Sequence, residues 1–563
     1  MHAVTQYAAG LSNVAHAEAN LYTCSQDSIR HITEVVKEQR LNRVVVASCT
    51  PLTHAPLFQD SIRAAGLNPY LFEMANIRNQ CSWVHSNEWD AATLKAKDLV
   101  RMAVGRAELL EPQTTFAVPV ISRALVVGGG AAGMTAALSL ADSGFQVILV
   151  EKEAELGGNL RYVRTSLPSQ DHHPMNDPQP VLQQLVQQVN ASPYITTLLE
   201  SQVISTKGFM GNFTSTIERA GGERLECSHG ATILATGARE YRGVEYGYGT
   251  NEGILTQQEF EALLVQSSQG TTRLPGDVVM IQCVGPAEKF CSRICCTVAL
   301  KNALALKALK PDARVVILYR DIRTYGFKEQ LYTLARERGV IFMRYDQTHK
   351  PLVETVSSGI RVQAWDAAVH RMVELSPDVL VLSMPVVPNP DVHNLSSLFK
   401  VPVDVDGFFL EAHVKLRPVD FSTDGIFMAG LAHYPKLLDE TMIQAQAAAA
   451  RAARVLSRST ITAGGRIAVV DPEKCTGCLT CMRICPFNVP VIRIDQAGVG
   501  GIMGAVYIEA AVCQGCGQCA AECPGRAIQL MHYTDAQISA KVRALVKPEM
   551  GFIPISEVVE IGD

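Results

Sequence analysis

The chain has 563 residues, 47% of them hydrophobic, and a formal net charge of -5 at pH 7. This length indicates roughly three or four domains, and the hydrophobic content suffices for each to bury a core. The weakly acidic balance offers no basic face to nucleic acid. Neither a secretory leader nor a membrane span is visible, so we expect a cytoplasmic protein. In such a protein, the 16 cysteines indicate metal ligands rather than disulfides.

Residues 1–118 are predicted to form an α/β domain with three separated cysteines, Cys24, Cys49 and Cys81. A buried strand over residues 43–48 ends directly at Cys49. Sites are commonly built at the carboxyl ends of strands, so this thiol is well placed for chemistry. Three separated cysteines are nevertheless more often inert buried thiols than ligands, and the residues alone leave both interpretations open.

Residues 124–151 predict a strand, a glycine turn, a helix and a second strand that ends in an acid. Gly128, Gly130 and Gly133 fit the G-x-G-x-x-G pattern, which permits a tight turn, close approach of a pyrophosphate and close helix packing. The N-terminus of the helix offers N–H groups to the phosphates. Glu151 lies where an acid is expected to meet a ribose hydroxyl. The complete unit favours dinucleotide binding over an ordinary glycine turn.

Two later segments indicate that the dinucleotide is FAD. Residues 231–237 form an apolar strand ending in Ala-Thr-Gly, and residues 422–430 read Ser-Thr-Asp-Gly-Ile-Phe-Met-Ala-Gly. Both resemble motifs of thioredoxin-reductase-type flavoproteins, in which an acid of the second motif holds the ribityl chain; this implies that role for Asp424. The alanine-rich stretch 442–455 is expected to be the helix whose N-terminus faces the flavin. The predicted FAD-binding residues are Gly128, Gly130, Ala132, Gly133, Glu151, Lys152, Gly158, Asn159, Thr236, Gly237, Asp424 and Gly430.

A second dinucleotide-type domain is predicted over residues 241–375, but its first strand is not followed by a nucleotide fingerprint. At that place Pro286 removes an N–H, Glu288 adds negative charge, and no second glycine admits a phosphate, so nicotinamide nucleotide binding is disfavoured. Four cysteines within fourteen residues can instead supply a complete thiolate set for a [4Fe–4S] cluster. A redox-active or merely buried cysteine group is the alternative. This quartet consists of Cys283, Cys291, Cys295 and Cys296.

The C-terminal module, residues 466–535, contains two four-cysteine runs with the spacing of a bacterial two-cluster ferredoxin, each followed by a proline. In that pattern, the fourth cysteine of each run binds the other cluster. One cluster is therefore predicted at Cys475, Cys478, Cys481 and Cys523. The other is predicted at Cys513, Cys516, Cys519 and Cys485. Two zinc sites are the alternative, and the doubled runs with trailing prolines disfavour them.

The chain resembles the heterodisulfide reductase A-subunit family over almost its whole length, through residues 47–54, 66–78, 80–85 and 319–328. The resemblance implies an N-terminal [4Fe–4S] cluster with Cys24, Cys49 and Cys81 as ligands. It also implies that Cys283–Cys296 hold a cluster near the flavin, and that Lys301 approaches the reactive edge of the ring. The usual upstream Cys-x-Cys-Gly segment is lacking, so the fourth N-terminal ligand is open. The inserted ferredoxin of some members is also lacking.

These observations predict an α/β thioredoxin-reductase-like flavoprotein with two dinucleotide-binding-type domains, an N-terminal iron–sulfur domain and a C-terminal two-cluster ferredoxin domain. The predicted FAD-binding domain combines residues 119–240 and 376–458, and residues 536–563 form a tail. No set of residues resembles a nucleophile with its base, so the substrates are expected to be electrons. One FAD and up to four clusters make the chain an oxidoreductase that exchanges electron pairs for single electrons.

The family resemblance further implies the partners of the chain. These are catalytic and small iron–sulfur subunits of the heterodisulfide reductase type, a hydrogenase- or dehydrogenase-type donor and ferredoxin, with a homodimer inside a larger complex. Flavin-based electron bifurcation is a hypothesis motivated by the flavin, the flanking clusters and Lys301. Two alternatives are a non-bifurcating electron conduit and an NAD(P)H oxidoreductase resembling the small subunit of glutamate synthase.

Overall fold

The computed structural model of the protein describes residues 1–166, 177–357 and 359–546. The chain divides into two compact units, one of Met1–Val118 with Thr462–Asp563 and the other of Pro119–Ile461. Among the described residues, no helix has both the length and the apolar character needed to cross a bilayer. The part of the predicted tail beyond residue 546 lies outside the described residues.

Residues 1–118 form a small two-stranded parallel sheet with helices on both faces. The sheet aligns Val44 with Phe72 and Ser48 with Asn76. Val46, Phe72 and Met74 pack with the two middle helices, while Ala75 and Ile77 pack with the first and last helices. The elements are α1 (His2–Ala9), α2 (Gln26–Glu38), β1 (Val44–Ser48), α3 (Pro51–Ala64), β2 (Phe72–Asn76), a π-helical turn (Arg78–Ser82), α4 (Trp89–Ala107) and β3 (Thr115–Pro119).

The second unit opens with the predicted glycine-turn fold, built on a five-stranded parallel sheet. Its strands follow the order β21-β10-β4-β5-β6, in which β21 is Ile426–Met428. The chain therefore returns to this sheet near the end of the second unit. The elements up to the second domain are β4 (Arg123–Val127), α5 (Ala131–Asp142), β5 (Gln146–Val150), α6 (Gln179–Ala191), β6 (Ile195–Leu198), β7 (Ser201–Phe209), β8 (Asn212–Arg219), β9 (Arg224–His229), β10 (Ala231–Leu234) and β11 (Ala238–Glu240). Strands β7, β8 and β9 form an antiparallel sheet that shares a core with one face of the parallel sheet.

The second dinucleotide-type domain repeats this plan with a parallel sheet of order β12-β19-β13-β14-β15. Helices cover one face, and the antiparallel sheet β16-β17-β18 shares the core of the other. Its elements are β12 (Ile254–Thr256), α7 (Gln257–Ser268), β13 (Asp277–Ile281), α8 (Cys295–Leu309), β14 (Arg314–Tyr319), α9 (Glu329–Glu337), β15 (Ile341–Arg344), β16 (Leu352–Val356), β17 (Gly359–Asp366), β18 (Arg371–Leu375) and β19 (Val379–Leu382). The predicted boundary at residue 375 is therefore wrong, because β19 pairs with β12 and β13.

The chain then returns to the first sheet through β20 (Val386–Pro388), which pairs with β11. There follow α10 (Val392–Phe399), β21 (Ile426–Met428) and α11 (Leu438–Leu456), the last of which contains the predicted alanine-rich helix. Ala136 and Ala137 of α5 share a core with Ala445, Ala448 and Ala449 of α11. These small side chains let the two helices approach closely and cover one face of the sheet.

The C-terminal elements of the first unit are short, as expected for a module held by its cysteine loops. They are β22 (Thr460–Gly464), β23 (Ala468–Val470), α12 (Thr480–Ile484), β24 (Pro490–Ala497), β25 (Met503–Ile508), α13 (Gln518–Ala521), β26 (Ile528–Leu530) and α14 (Asp535–Leu545). Strand β23 pairs with β26, and β24 pairs with β25. Helix α14 packs on α4, where Glu73 binds both Arg106 and Lys541 in a largely buried ion cluster.

Candidate cofactor and metal sites

The first and third glycines of the G-x-G-x-x-G pattern, in and just after the turn that follows β4, have no room for a side chain. Gly128 has a φ of 110°, and a Cβ atom there would lie 2.3 Å from the Ala235 carbonyl oxygen. A Cβ atom on Gly133 would lie 1.7 Å from the Gly128 oxygen. Packing of the turn and of α5 therefore accounts for the first and third glycines of the pattern.

Gly130 is different, because the protein leaves space around it. A Cβ atom there would meet nothing nearer than the Gly158 Cα atom, 3.9 Å away. Gly130 is also the N-cap of α5, and no side chain caps the N–H groups of the first turn. Gly157 lies opposite and donates its N–H to the Gly129 oxygen at 2.9 Å. An opening bordered by two glycine turns and a helix N-terminus fits the pyrophosphate of FAD.

Glu151 is buried at the end of β5 and faces this turn. Its carboxylate accepts hydrogen bonds from the backbone N–H groups of Gly129 and Glu153. The acid thus holds the glycine turn in place, and its predicted bond to a ribose stays a prediction. The neighbouring Lys152 is half exposed, with its Nζ atom 3.9 Å from an Asp391 oxygen.

Other predicted flavin contacts gather at the same edge of the sheet. The Thr236 oxygen accepts a bond from the Asn389 amide, and Asn159 donates to the Ala238 oxygen, both at 2.7 Å. A Cβ atom on Gly430 would lie 2.7 Å from the Cβ atom of Ala132 in α5. The Ala-Thr-Gly turn, residues 158–159 and the Ala-Gly of the second motif therefore surround the N-terminus of α5.

The prediction for Asp424 is wrong. In the parallel sheet Ile426 pairs with Thr232, and Leu125 pairs with Thr232 from the other side, so Asp424 lies at the amino ends of the strands. It is separated from Gly128 by about five strand residues, or about 16 Å. Its half-exposed carboxylate binds Arg417 at 3.3 Å. A carboxylate at this edge does not face the cofactor opening.

Lys301 is buried and fully engaged by the protein. Its Nζ atom donates to Glu261 Oε2 at 2.7 Å and to the Thr165 oxygen at 2.9 Å. Burial lowers the pKa of Lys301, and the Glu261 carboxylate opposes that shift. The ammonium group thus belongs to an internal ion pair beside the segment that follows Asn159. Its approach to the flavin edge stays a prediction.

The four cysteines after β13 lie near one another, and a cluster at these residues stays a prediction. Burial, followed by the charges of Cys296, Cys291 and Cys283, raises the pKa of Cys295, so all four thiols lie within electrostatic range of one another. Burial likewise raises the pKa of Cys296 to about 11. The free thiols of Cys295 and Cys296 are therefore protonated at neutral pH, and binding of iron there would release protons. Both residues begin α8, and the dipole of the helix opposes the effect of burial without overcoming it.

The surroundings of the quartet fit an anionic cluster. Arg323 bonds both Asp321 and the Cys291 thiol, and Arg320 lies near Cys283. An open groove reaches Cys291 from solvent. Among the described residues, no three His, Cys, Asp or Glu side chains converge on a position for one metal ion. A metal centre at the quartet therefore stays a prediction.

The quartet is bonded to the segment that follows the flavin motif. Tyr434 donates its hydroxyl to the Cys291 oxygen at 2.9 Å, and Arg293 donates to the Pro435 oxygen at 3.0 Å. Arg293 also forms an ion pair with Glu440 at 3.2 Å. These bonds attach the cysteine loop directly to the residues after Gly430. The predicted cluster and the predicted flavin would accordingly be neighbours.

The C-terminal cysteines group across the two runs. One cavity is lined by Cys475, Cys478 and Cys481 together with Cys523 of the second run. Burial raises the pKa of Cys519 to about 12, and the thiols of Cys513, Cys485 and Cys516 add to the shift. This is the exchange of the fourth ligand that the spacing predicts for two cubane clusters. The thiol sets fit that cofactor.

The N-terminal cysteines are less closely grouped. Cys49 follows β1, and its sulfur accepts a hydrogen bond from Arg78 at 3.2 Å. Cys81 is buried in the π-helical turn and its thiol donates to the Ala92 oxygen at 2.9 Å. Cys24 is exposed before α2. Cys49 and Cys81 follow the same edge of the small sheet, and a cluster at these three residues stays a prediction.

Two residues near these sites were not foreseen. The ion pair of Glu261 with Lys301 could not be predicted, because Glu261 lies on α7, forty residues before its partner. Gln282 directly follows β13, and its amide is fully buried and without a hydrogen-bond partner. Glu261 pairs with a residue distant in sequence, and the burial of Gln282 depends on the assembled domain, so neither could have been found from spacing.

Comparison with known protein families supports the FAD-binding domain and the C-terminal iron–sulfur domain. Residues 123–252 match the family model "FAD binding domain", and residues 467–524 match "4Fe-4S dicluster domain". One heterodisulfide reductase iron-sulfur A-subunit of Methanopyrus kandleri is 33% identical, over 86% of this chain and 87% of that protein. The A-subunit of H(2):CoB-CoM heterodisulfide,ferredoxin reductase from Methanothermobacter marburgensis is also 33% identical, over 89% of both chains. Lactococcus lactis thioredoxin reductase is 17% identical, with a TM-score of 0.41 over 60% of this chain and 99% of that one.

The fold and the sites define an oxidoreductase of mixed α/β architecture with an FAD-binding domain and a C-terminal iron–sulfur domain. The sequence identity to the two A-subunits, over most of the chain, also shows the family. The chain belongs to the heterodisulfide reductase A-subunit family and takes part in electron transfer.

Proposed function

We propose that this chain passes electrons between a flavin and three or four [4Fe–4S] clusters inside a heterodisulfide-reductase-like complex in the cytoplasm. FAD, when bound, exchanges an electron pair for single electrons, and cubane clusters carry electrons one at a time. The glycine opening would hold FAD, and the quartet and the two ferredoxin sets would hold three clusters. A fourth would involve Cys24, Cys49 and Cys81.

The bonds between Tyr434 and Cys291 and between Arg293 and Glu440 are the main support for this function. They tie the quartet to the segment that follows the flavin motif, so an electron would have a short path between two cofactors. Arg320 and Arg323 would balance part of the negative charge of the thiolates. Tyr434 and Arg293 would fix the position of the loop that carries Cys291.

Partner subunits are proposed from the names of the relatives, which include a heterodisulfide,ferredoxin reductase. We propose catalytic and small iron–sulfur subunits of that type, a hydrogenase- or dehydrogenase-type donor and ferredoxin, around a homodimer of this chain. Electron bifurcation is the proposed mode. It is tested by mixing the purified complex with its donor, ferredoxin and a second acceptor of higher potential. Ferredoxin reduction only when the second acceptor is present supports bifurcation, and reduction without it supports a simple conduit.

A direct NAD(P)H oxidoreductase is the competing function, and the loop after β13 argues against it. Residues Gly285–Glu288 form a 3₁₀ turn where a nucleotide fingerprint would stand, and the Glu288 carboxylate binds Lys350 at 2.7 Å. A carboxylate at this edge repels phosphate. We expect neither NADH nor NADPH to bleach the flavin of the isolated protein rapidly. Rapid bleaching would restore the competing function.

A further inference from the structure

Gln282 is a buried amide with nothing in the protein to bind. Its side chain is fully buried, and neither its nitrogen nor its oxygen has a hydrogen-bond partner. Only its backbone is engaged, through Leu318 and the Tyr345 hydroxyl. Buried side-chain amides are nearly always bonded, so an unpartnered one points to a group that belongs beside it. The residue lies directly before Cys283 of the quartet.

The position of Gln282 on its strand directs it toward α8. Strand side chains alternate, so Gln282 shares a face with Met280, which belongs to the core under α7 and α8. The Gln257 amide bonds both the Met280 sulfur and Asn302 of α8, which places these two residues at one level. Gln282 lies two residues further along the strand than Met280, a distance of about 6.6 Å. Along α8, the same distance corresponds to about four residues from Asn302 toward the N-terminus of the helix. That level is the first turn of α8, which begins with Cys295 and Cys296.

The neighbouring strand gives the same placement. Ile281 pairs with Leu382 in a parallel register, so Gln282 is level with Ser383. The next residue along, Met384, has its carbonyl oxygen 3.7 Å from the Cys295 sulfur. Two independent neighbours, a helix and a strand, therefore place the amide of Gln282 next to the quartet.

We propose that the Gln282 amide donates a hydrogen bond to a sulfur of the cluster held by Cys283, Cys291, Cys295 and Cys296, and thereby raises its reduction potential. This inference rests on the third cluster proposed above. Reduction adds one electron and one negative charge without breaking a bond. A buried N–H donor binds the more negative state more strongly, and hydrogen bonds to the sulfurs help to set cluster potentials.

The test compares the purified full-length protein with its Gln282→Met variant, which keeps the volume and loses the donor. Potentials are measured by EPR-monitored redox titration, and the signal of the third cluster is identified as the one lost in Cys295→Ser. We expect Gln282→Met to retain its iron and to lower the equilibrium constant for reduction about tenfold, or about 59 mV for one electron. The ferredoxin signals should not move.

Gln257→Met is the matched control, because Gln257 is also buried but its amide is already bonded to Ser383 and Asn302. It should lower stability and leave the third potential unchanged. If Gln282→Met raises stability and does not change the reduction potential of the third cluster, the amide is only an unpaired polar group in the core and the proposal is overturned.

A second variant keeps the proposal testable if Gln282→Met assembles no third cluster. Gln282→Asn retains the amide but shortens its reach by one methylene, so the third potential should be lower than that of the unmutated protein. A third potential equal to that of the unmutated protein would overturn the proposal. Failure of the third cluster itself gives a separate result, in which Cys295→Ser changes neither the iron content nor any signal.

Discussion

Lys301 and Glu261 form an ion pair in the interior of the second dinucleotide-type domain, with Nζ 2.7 Å from Oε2 and both side chains 5% exposed. The Glu261 carboxylate also accepts hydrogen bonds from the backbone N–H groups of Arg164 and Thr165. The pair thus connects α7 and α8 to the chain that follows Asn159. Lys301 is held in one position, and its charge is balanced inside the protein.

Removal of the carboxylate should strongly destabilise the protein. In Glu261→Gln, Lys301 stays buried without a counter-ion, and breaking such a pair costs about 3–5 kcal/mol. Anaerobic urea unfolding of the variant and the parent measures this loss. Glu288→Gln is the matched control, because its pair with Lys350 is exposed and should contribute no more than about 1 kcal/mol. Equal losses in the two variants would show that Lys301 is not a buried charge.

Stability should depend on pH through Lys436. This lysine is buried, and burial lowers its pKa to about 7, with the nearby Arg293 adding to the shift. Because the unfolded chain keeps this proton up to about pH 10.5, the unfolded state binds more protons between about pH 7 and 10.5, and stability rises with pH in that window. From pH 7 to pH 9 the gain is about 2–3 kcal/mol.

The Lys436→Met variant tests this pH dependence. It should lack the gain, so its free energy of unfolding relative to the parent should change between pH 7 and pH 9. A constant difference between the two proteins at both pH values would mean that Lys436 titrates normally.

Two glycines of one turn should respond differently to alanine. Gly130→Ala adds a methyl group where the protein has open space, so the fold should persist while FAD affinity falls about tenfold, or about 1.4 kcal/mol. Gly133→Ala places a methyl group against the Gly128 oxygen and should destabilise the fold itself. Flavin titration and thermal unfolding separate the two effects. Asp424→Asn, at the opposite edge of the sheet, should leave flavin binding intact. A Gly130→Ala variant that binds FAD normally would place the cofactor elsewhere.

Loss of one cysteine from the second ferredoxin run should damage the cluster of the first. Cys523 lines the cavity of Cys475, Cys478 and Cys481, so Cys523→Ser should perturb the same EPR signal as Cys475→Ser and remove up to about four iron atoms. Cys227→Ser is the control, because Cys227 is a buried thiol of a strand outside every predicted set. If Cys523→Ser instead perturbs the signal lost in Cys513→Ser, the two runs bind their clusters independently.

Spacing within short segments was enough to predict the FAD-binding domain and the C-terminal iron–sulfur domain, whereas contacts between residues far apart in sequence could not be predicted from it. The C-x-x-C runs and the glycine pattern act through neighbouring residues, so their geometry follows from the local chain. The prediction for Asp424 was wrong because the motif alone does not show at which end of the strand its acid lies. The predicted domain boundary at residue 375 was wrong because the sequence of β19 does not show to which of the two sheets this buried strand belongs. Glu261 and Gln282 acquire their meaning only when α7, β13 and α8 are assembled.

The central claim is that one chain holds FAD beside three or more cubane clusters. Iron, acid-labile sulfide, zinc and FAD measured on anaerobically purified protein test it most directly. We predict about 12 iron per FAD if three clusters are bound and about 16 if the N-terminal set holds a fourth, with equal sulfide. About eight iron or fewer, or zinc without sulfide, would contradict the account.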